Sequence, residues 1–143
     1  MPYEFVDDIA VADIAFHAWG RDMEEAFRGA AAAMMNVMVE DLGTILPRTK
    51  RAAKIRRSES DMLLFDFLQE LLYYKDAERL FLLPEQIVIS REEGGYLLVA
   101  CLAGEGIDPD RHQTRADVKA VTLHRFHLVK TDTGWDAMVI LDI

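Results

Sequence analysis

Apolar and polar residues alternate along the first predicted element of the chain, residues 11–19. A period of two is expected of a β-strand, because its successive side chains point to opposite faces of a sheet. Asp13 would lie on one face of this strand, which is predicted to end at Gly20. The opposite face would carry the apolar residues Ile14, Phe16 and Ala18.

A helix is predicted directly after this strand. Asp22 and Glu25 have the spacing of a capping box, in which side chains satisfy free amides of the first helical turn. Apolar residues then recur at helical intervals. They are Met23, Ala26, Phe27, Ala30, Met34 and Met38. Its methionines favour core packing over an adaptable peptide groove, and Gly43 is expected to end the helix in a left-handed conformation.

A second helix is predicted after a basic segment. Ser58 and Asp61 repeat the capping spacing, and a broad apolar stripe follows them. The stripe consists of Leu63, Leu64, Phe67, Leu68, Leu71 and Leu72. Strands are expected beyond it, because segments rich in β-branched and aromatic residues are separated by turn signals. The predicted strands cover residues 86–91, 96–103, 118–130 and 135–143.

These elements predict a single α+β domain over residues 1–143. Two helices would pack on a mostly antiparallel or mixed sheet in two layers, because each apolar face has to be covered by another layer. A chain of 143 residues can bury one core without disulfide bonds. No repeat, linker or low-complexity tract divides it.

The charge of the chain restricts its partners. With 25 acidic and 16 basic residues the net charge is −9, which disfavours stable direct binding to nucleic acid. Residues 48–57 are an exception, with six basic side chains in ten positions. This basic segment is either an edge strand whose charges discourage pairing with another chain or a docking surface for an acidic partner or its RNA.

The sequence also indicates a compartment. No apolar run approaches the roughly 20 residues that a membrane helix needs, and the acidic first residues do not resemble a secretory signal. Cys101 is the one cysteine, and it lies in an apolar run, which favours a buried thiol in a reducing environment. We therefore expect a cytoplasmic protein without membrane attachment.

Catalytic motifs are absent from the sequence: it has no phosphate-binding loop, CxxC pair, HExxH or nucleophile elbow. His124 and His127 are three residues apart in a predicted strand, on opposite faces, and should not share a metal ion. His17 and His112 are expected to be structural or exposed. Nothing in the pattern indicates an enzyme.

Two aspartates near opposite ends of the chain are the candidate chemistry. If the first and last strands are neighbours, Asp13, Asp142 and the terminal carboxylate of Ile143 form a cluster of oxygen atoms. Like charges at short distance need compensation, and a hard divalent cation such as Ca²⁺ or Mg²⁺ provides it. The alternative is that both aspartates are solvated at strand ends.

Five segments of the chain resemble, in order, motifs of the archease family. They are ADIAFHAWG at 12–20, LLFDFLQELLY at 63–73, GEGID at 104–108, DVKAVTLH at 117–124 and VILDI at 139–143. One departure stands before the first motif, where many archeases have DHTAD. Here DDIAVAD occupies residues 7–13, without the histidine and two residues longer, and Asp7 and Asp8 are either further acidic ligands or solvated.

The resemblance implies a specific function. Archeases are accessory factors of the RtcB-type RNA ligase, which joins tRNA halves and other RNA ends through a guanylylated intermediate, and they promote its guanylylation and turnover. The family's metal ligands correspond to Asp13, Asp142 and Ile143, the last through a terminal or main-chain oxygen, with Ca²⁺ preferred and Mg²⁺ as the alternative. Lys119 corresponds to a functional position that faces the ligase.

Two other functions remain open at this point. One is a small metal-dependent hydrolase that acts on phosphorylated RNA ends, with Asp13 and Asp142 holding the ion and a histidine as base. The other is an interaction module that binds no metal.

Overall fold

Two antiparallel sheets and two long helices form the part of the chain that our computed structural model describes, residues 2–6 and 12–143. The elements in chain order are β1 (Tyr3–Val6), β2 (Asp13–Gly20), α1 (Met23–Met38), a 3-10 turn (Leu42–Thr44), β3 (Thr49–Arg57), α2 (Ser60–Glu78), β4 (Leu80–Glu92), β5 (Gly95–Gly106), α3 (Pro109–His112), β6 (Ala120–Val121), β7 (His127–Lys130) and β8 (Trp135–Asp142). The predicted α+β class is confirmed, and the two helices pack on two sheets rather than one.

The larger sheet joins the two ends of the chain. Its strand order is β1-β2-β8-β6, and β7 also pairs with β8. Strands β2 and β8 pair over their full length, from Asp13 opposite Asp142 to Gly20 opposite Trp135. The smaller sheet has the order β3-β5-β4. Because the middle of the chain pairs only with itself, its strands form a separate sheet.

Helix α1 begins as predicted and ends early. The Asp22 carboxylate accepts a hydrogen bond from the Glu25 amide at 2.8 Å, and the predicted apolar residues are buried in the core. The helix stops at Met38, and Gly43 lies in the 3-10 turn without a positive φ, so the predicted exit is wrong. The reason is tertiary: the last carbonyls of α1 accept hydrogen bonds from the amides of Arg115 and Ala116.

Helix α2 buries the predicted leucine and phenylalanine stripe. Its N-cap is Glu59 and makes no side-chain capping bond, so the predicted cap at Ser58 is wrong. Pairing of β3 with β5 continues to Arg57, opposite Tyr96, and leaves Ser58 in the connection to the helix. The buried faces of α1, α2 and both sheets form one continuous core.

The predicted strand 118–130 is wrong as a single element. Strands β6 and β7 pair separately with β8, and the chain turns between them, where Arg125 has a φ of 53°. His124 therefore lies exposed in a turn and His127 lies in β7. The prediction that the two histidines occupy opposite faces of one strand does not apply.

The basic segment 48–57 consists of the edge strand β3 and Arg48, the residue before that strand. Five of its six basic side chains lie within ion-pair distance of a carboxylate of the same chain. The pairs are Arg48 with Glu105, Lys50 with Glu85, Arg51 with Glu78, Arg56 with Glu92, and Arg57 with Asp66. This placement favours the edge-strand interpretation over a docking surface.

A buried carboxylate at the end of β5 holds together the loop before β3 and the segment that follows β5. Glu105 is only 5% exposed, and it pairs with Arg111 and accepts hydrogen bonds from the Leu46 amide at 2.7 Å and from His112 Nε2 at 3.0 Å. His112 Nδ1 accepts a hydrogen bond from the Asp108 amide at 2.9 Å, so Nε2 carries the proton. The Arg111 guanidinium, with the Leu46 amide and the His112 ring, lowers the pKa of Glu105 to about 2.

We predict that Glu105→Gln lowers the free energy of unfolding by about 1–3 kcal/mol at pH 7, because it removes charge-assisted hydrogen bonds in a buried site. The folded-state pKa of Glu105 lies below its ordinary value of 4.5, so the carboxylate stabilises the fold above pH 4.5, and this contribution is lost as the pH falls towards 2. Urea unfolding at several pH values should show the difference between wild type and variant shrinking in that range.

Glu92→Gln is the control for this prediction, because its pair with Arg56 is exposed at the edge of the sheet. Exposed pairs contribute about 0–1 kcal/mol. Equal destabilisation by the two substitutions at pH 7 would show that the Glu105 cluster does not anchor these loops.

Candidate functional site

Asp13 and Asp142 lie directly opposite each other where β2 begins and β8 ends. The Ile143 amide donates a hydrogen bond to the Ala12 carbonyl at 2.9 Å. This bond makes residues 13 and 142 a non-hydrogen-bonded pair, the kind in which opposite side chains are closest. Directly opposite residues of antiparallel strands share a face of the sheet. The structure therefore brings together the two aspartates singled out in the sequence.

The two carboxylates make an unfavourable pair by themselves. Like charges directly opposite across two strands are destabilising, and both side chains are half-buried, which reduces screening by water. In residues 2–6 and 12–143, no basic side chain lies within 4.0 Å of either carboxylate. A cation placed between them would relieve the repulsion.

Lys119 and Ile143 lie at the same end of the sheet. The Lys119 amide donates a hydrogen bond to the Asp142 carbonyl at 2.8 Å, and the lysine is exposed. The next residue, Ala120, pairs with Asp142 on the side away from Asp13. Asp142 is thus held between β2 and the segment that carries Lys119.

The donor set suits a hard cation that keeps part of its water. Within the described ranges, no three His, Cys, Asp or Glu side chains are grouped as metal ligands. The side chains therefore supply two carboxylates, and Ile143 can add a main-chain or terminal oxygen. Ca²⁺ accepts such mixed sets of carboxylate, carbonyl and water oxygens, and Mg²⁺ usually keeps several waters. Asp7 and Asp8 lie outside the described residues, as does Val11 of the predicted first strand.

The other residues considered in the sequence lie elsewhere. Cys101 is half-buried, because it points away from the helices while its neighbours in β5 point into the core, so the prediction of a buried thiol is wrong. Its Sγ lies 3.6 Å from Glu85 Oε1. His17 is partly exposed between Glu4 at 3.7 Å and Asp136 at 3.8 Å. His112 is structural, as described above.

A buried lysine close to this end of the sheet was missed. Lys75, in the last turn of α2, is 4% exposed, and its Nζ donates hydrogen bonds to Asp117 Oδ1 at 2.7 Å and to the Val118 carbonyl at 2.8 Å. The signal was present in the sequence, because Lys75 continues the helical spacing of Leu68, Leu71 and Leu72. It also borders an open cleft of about 340 Å³ between α2 and residues 107–117.

Known proteins resemble this chain over nearly its whole length. Residues 3–143 match the family model described as "Archease protein family". Protein archease of Methanosarcina mazei is 37% identical over 142 residues, which cover 99% of this chain and 95% of that protein.

No helix in the described part of the chain is both long and apolar enough to cross a membrane.

Two solved structures share the fold. The solution structure of Methanobacterium thermoautotrophicum protein 1598 has a TM-score of 0.85 and 36% identity, with 99% of each chain covered. The crystal structure of an archease, possible chaperone, from Thermotoga maritima has a TM-score of 0.62 with 98% of each chain covered, and its 18% identity supports the fold alone. The family match and the identity to curated relatives together show that this chain belongs to the archease family.

Proposed function

We propose that this protein is a non-catalytic activator of an RtcB-type RNA ligase, promoting guanylylation and turnover of the ligase in tRNA splicing and RNA end joining. Membership of the archease family supports the proposal. The observation that carries it is the position of Asp13 directly opposite Asp142, with the Lys119 amide bonded to Asp142. The residues that the resemblance assigns to ion binding and to the ligase thus occur at one end of one sheet.

Asp13, Asp142 and an oxygen of Ile143 would hold a divalent ion, with Ca²⁺ preferred and Mg²⁺ as the alternative. The ion would neutralise the carboxylate pair and tie β2 to the end of β8. The chain's own contribution is to position the oxygens, through the bond from the Ile143 amide to Ala12 and the pairing of β2 with β8. The ion site would then be rigid before the ligase arrives.

Activation would proceed by contact. The surface with Asp13, Lys119 and Asp142 would bind the ligase in the state that is competent for guanylyl transfer and so shift its population towards that state. The acidic net charge complements the basic surface of an enzyme that binds RNA, which favours encounter in the cytoplasm.

We predict that Ca²⁺ stabilises the wild-type protein at this site. At a hundredfold excess over the dissociation constant, an ion that binds only the folded state adds about 2.7 kcal/mol, which corresponds to a rise in melting temperature of roughly 5–10 °C. Asp13→Asn should abolish this rise. In chelator the variant should be at least as stable as wild type, because the like-charge pair is gone. Differential scanning calorimetry measures both effects.

Asp136→Asn is the matched control, because Asp136 belongs to the same strand, β8, and pairs opposite Trp19 instead of Asp13. It should retain the full response to Ca²⁺. A wild-type melting temperature that is unchanged by both Ca²⁺ and Mg²⁺ would exclude an ion site in the free protein.

We predict that Asp13→Asn and Lys119→Ala each reduce stimulation of ligase guanylylation by about tenfold or more, as expected for the loss of one charged contact at an interface. Lys130→Ala is the control, because Lys130 is an exposed strand lysine opposite Trp135, at the far end of β8. The assay follows labelled guanylyl transfer to the cognate ligase. Stimulation at the wild-type level by both site variants would refute the proposed mechanism.

A second assay, without the ligase, separates activation from the hydrolase alternative. Pure protein incubated with phosphorylated RNA ends and a divalent ion should show no turnover without the ligase. Hydrolysis under those conditions that Asp13→Asn abolishes would establish the alternative and contradict our proposal.

A further inference from the structure

We infer that Lys75 is a positioning residue: its buried side-chain nitrogen clamps the peptide group between Val118 and Lys119, which fixes both the ligase-facing lysine and Asp142. The inference rests on the proposed function for its consequence, and on geometry alone for the clamp. Lys75 lies 44 residues before Lys119 and belongs to a different layer of the fold. Contacts, rather than sequence proximity, therefore connect it to the site.

Three oxygen atoms lie close to the buried side-chain nitrogen of Lys75. Its side chain is 5% exposed, and Nζ lies 2.6 Å from Asp76 Oδ1 in addition to its hydrogen bonds with Asp117 and Val118. A lysine nitrogen has three hydrogens to donate. Two of them are donated to Asp117 Oδ1 and the Val118 carbonyl, and Asp76 adds an ion pair. Because a buried charge without partners is very costly, the three contacts make the position of Nζ well defined.

The same peptide group connects α2 with β8. The carbonyl of Val118 and the amide of Lys119 belong to one planar unit, and in a trans peptide they point in opposite directions. The carbonyl accepts from Lys75 Nζ at 2.8 Å, and the amide donates to the Asp142 carbonyl at 2.8 Å. The Val118 side chain is completely buried. The plane is thus fixed at both polar ends and by the packing of Val118.

The orientation of this peptide plane determines the direction of the Lys119 side chain and the position of Asp142. The side chain of Lys119 starts from the Cα next to the clamped amide, so its direction depends on the plane. The carbonyl of Asp142 is the acceptor of that amide, and the side chain of Asp142 faces Asp13 across the strand pair. A metal or binding constellation loses function when its members move by about 1 Å, and the clamp restricts such movement.

The ion pair of Lys75 does not by itself account for a lysine at this position. Lys75 occupies the position of an apolar residue in the stripe of α2, and replacing a buried ion pair with well-packed apolar groups is often neutral or stabilising. An apolar residue there would leave the Val118 carbonyl without its hydrogen bond from α2. The lysine supplies a directional contact to the backbone of residues 117–119, which a leucine cannot.

Lys75→Met tests the inference, because methionine keeps an unbranched chain and removes the donor. Lys50→Met is the matched control: Lys50 Nζ lies equally close to a carboxylate, 2.6 Å from Glu85, on the exposed strand β3. The first measurement is amide hydrogen exchange by NMR, in chelator and without ligase. We expect exchange of the Lys119 amide, relative to that of Val139 in the core, to accelerate about tenfold in Lys75→Met and not in Lys50→Met.

The second measurement is the Ca²⁺ dissociation constant by titration calorimetry, with ligase stimulation as the third. In Lys75→Met we expect about tenfold weaker Ca²⁺ binding and a matching loss of stimulation, with both unchanged in Lys50→Met. Unchanged exchange of the Lys119 amide would overturn the clamp. Faster exchange with wild-type Ca²⁺ affinity and stimulation would overturn the positioning role.

The outcomes separate the inference from the proposed function. If wild type neither binds Ca²⁺ nor stimulates the ligase, the proposed function fails, and the exchange measurement still decides whether the clamp exists. If Lys75→Met does not fold, Asp117→Ala replaces it, because it removes one acceptor of the lysine at a side chain that is 67% exposed. It should accelerate Lys119 exchange about threefold relative to Val139, and an unchanged ratio would refute the clamp.

Discussion

The pairing of β2 with β8 is the constraint on which the rest of the structure depends. It closes the larger sheet between two segments that are more than a hundred residues apart in the sequence, and it sets Asp13 opposite Asp142. Register in such a pair is fixed by the apolar face, because a slip of one residue would turn every side chain to the other side. Burial of Phe16 and Val139 on the core face therefore also determines that the two carboxylates meet. The core and the candidate site are two faces of the same strand pair.

Buried polar contacts hold the chain where regular structure is scarce. Between β5 and β6, the described residues contain a helix of only four residues. Hydrogen bonds and ion pairs hold this connection against the rest of the fold at three places. Glu105 binds Arg111 and His112 near its start, the carbonyls at the end of α1 bind the middle, and Lys75 binds residues 117 and 118. These contacts place Lys119 beside β8. An irregular connection is thereby given a defined path to the site.

Much of the fold and of the candidate site could be predicted from the sequence, for physical reasons that differ between elements. The apolar stripe of α2 and the alternation along β2 are local patterns, and the structure follows both. The sequence placed Asp13 and Asp142 at strand ends, and it could not decide their proximity, because strand order is a property of the whole chain. The early end of α1 and the division of 118–130 into β6 and β7 depend on partners distant in sequence. Lys75 was overlooked because its partners, Asp117 and Val118, are 42 and 43 residues away.

The basic strand β3 has an effect on the field around the molecule. Its positive charges are almost all balanced by nearby carboxylates, so at a distance β3 resembles a row of dipoles and does little to offset the net negative charge of the molecule. Fields of paired charges decay faster than those of single charges, and at physiological ionic strength even the latter are screened beyond about 8 Å. An approaching macromolecule would therefore sense the net negative charge of the chain more strongly than the paired arginines of β3. The six basic side chains at 48–57 therefore attract a polyanion less than the sequence alone suggests, while the net charge of −9 still attracts a positively charged surface.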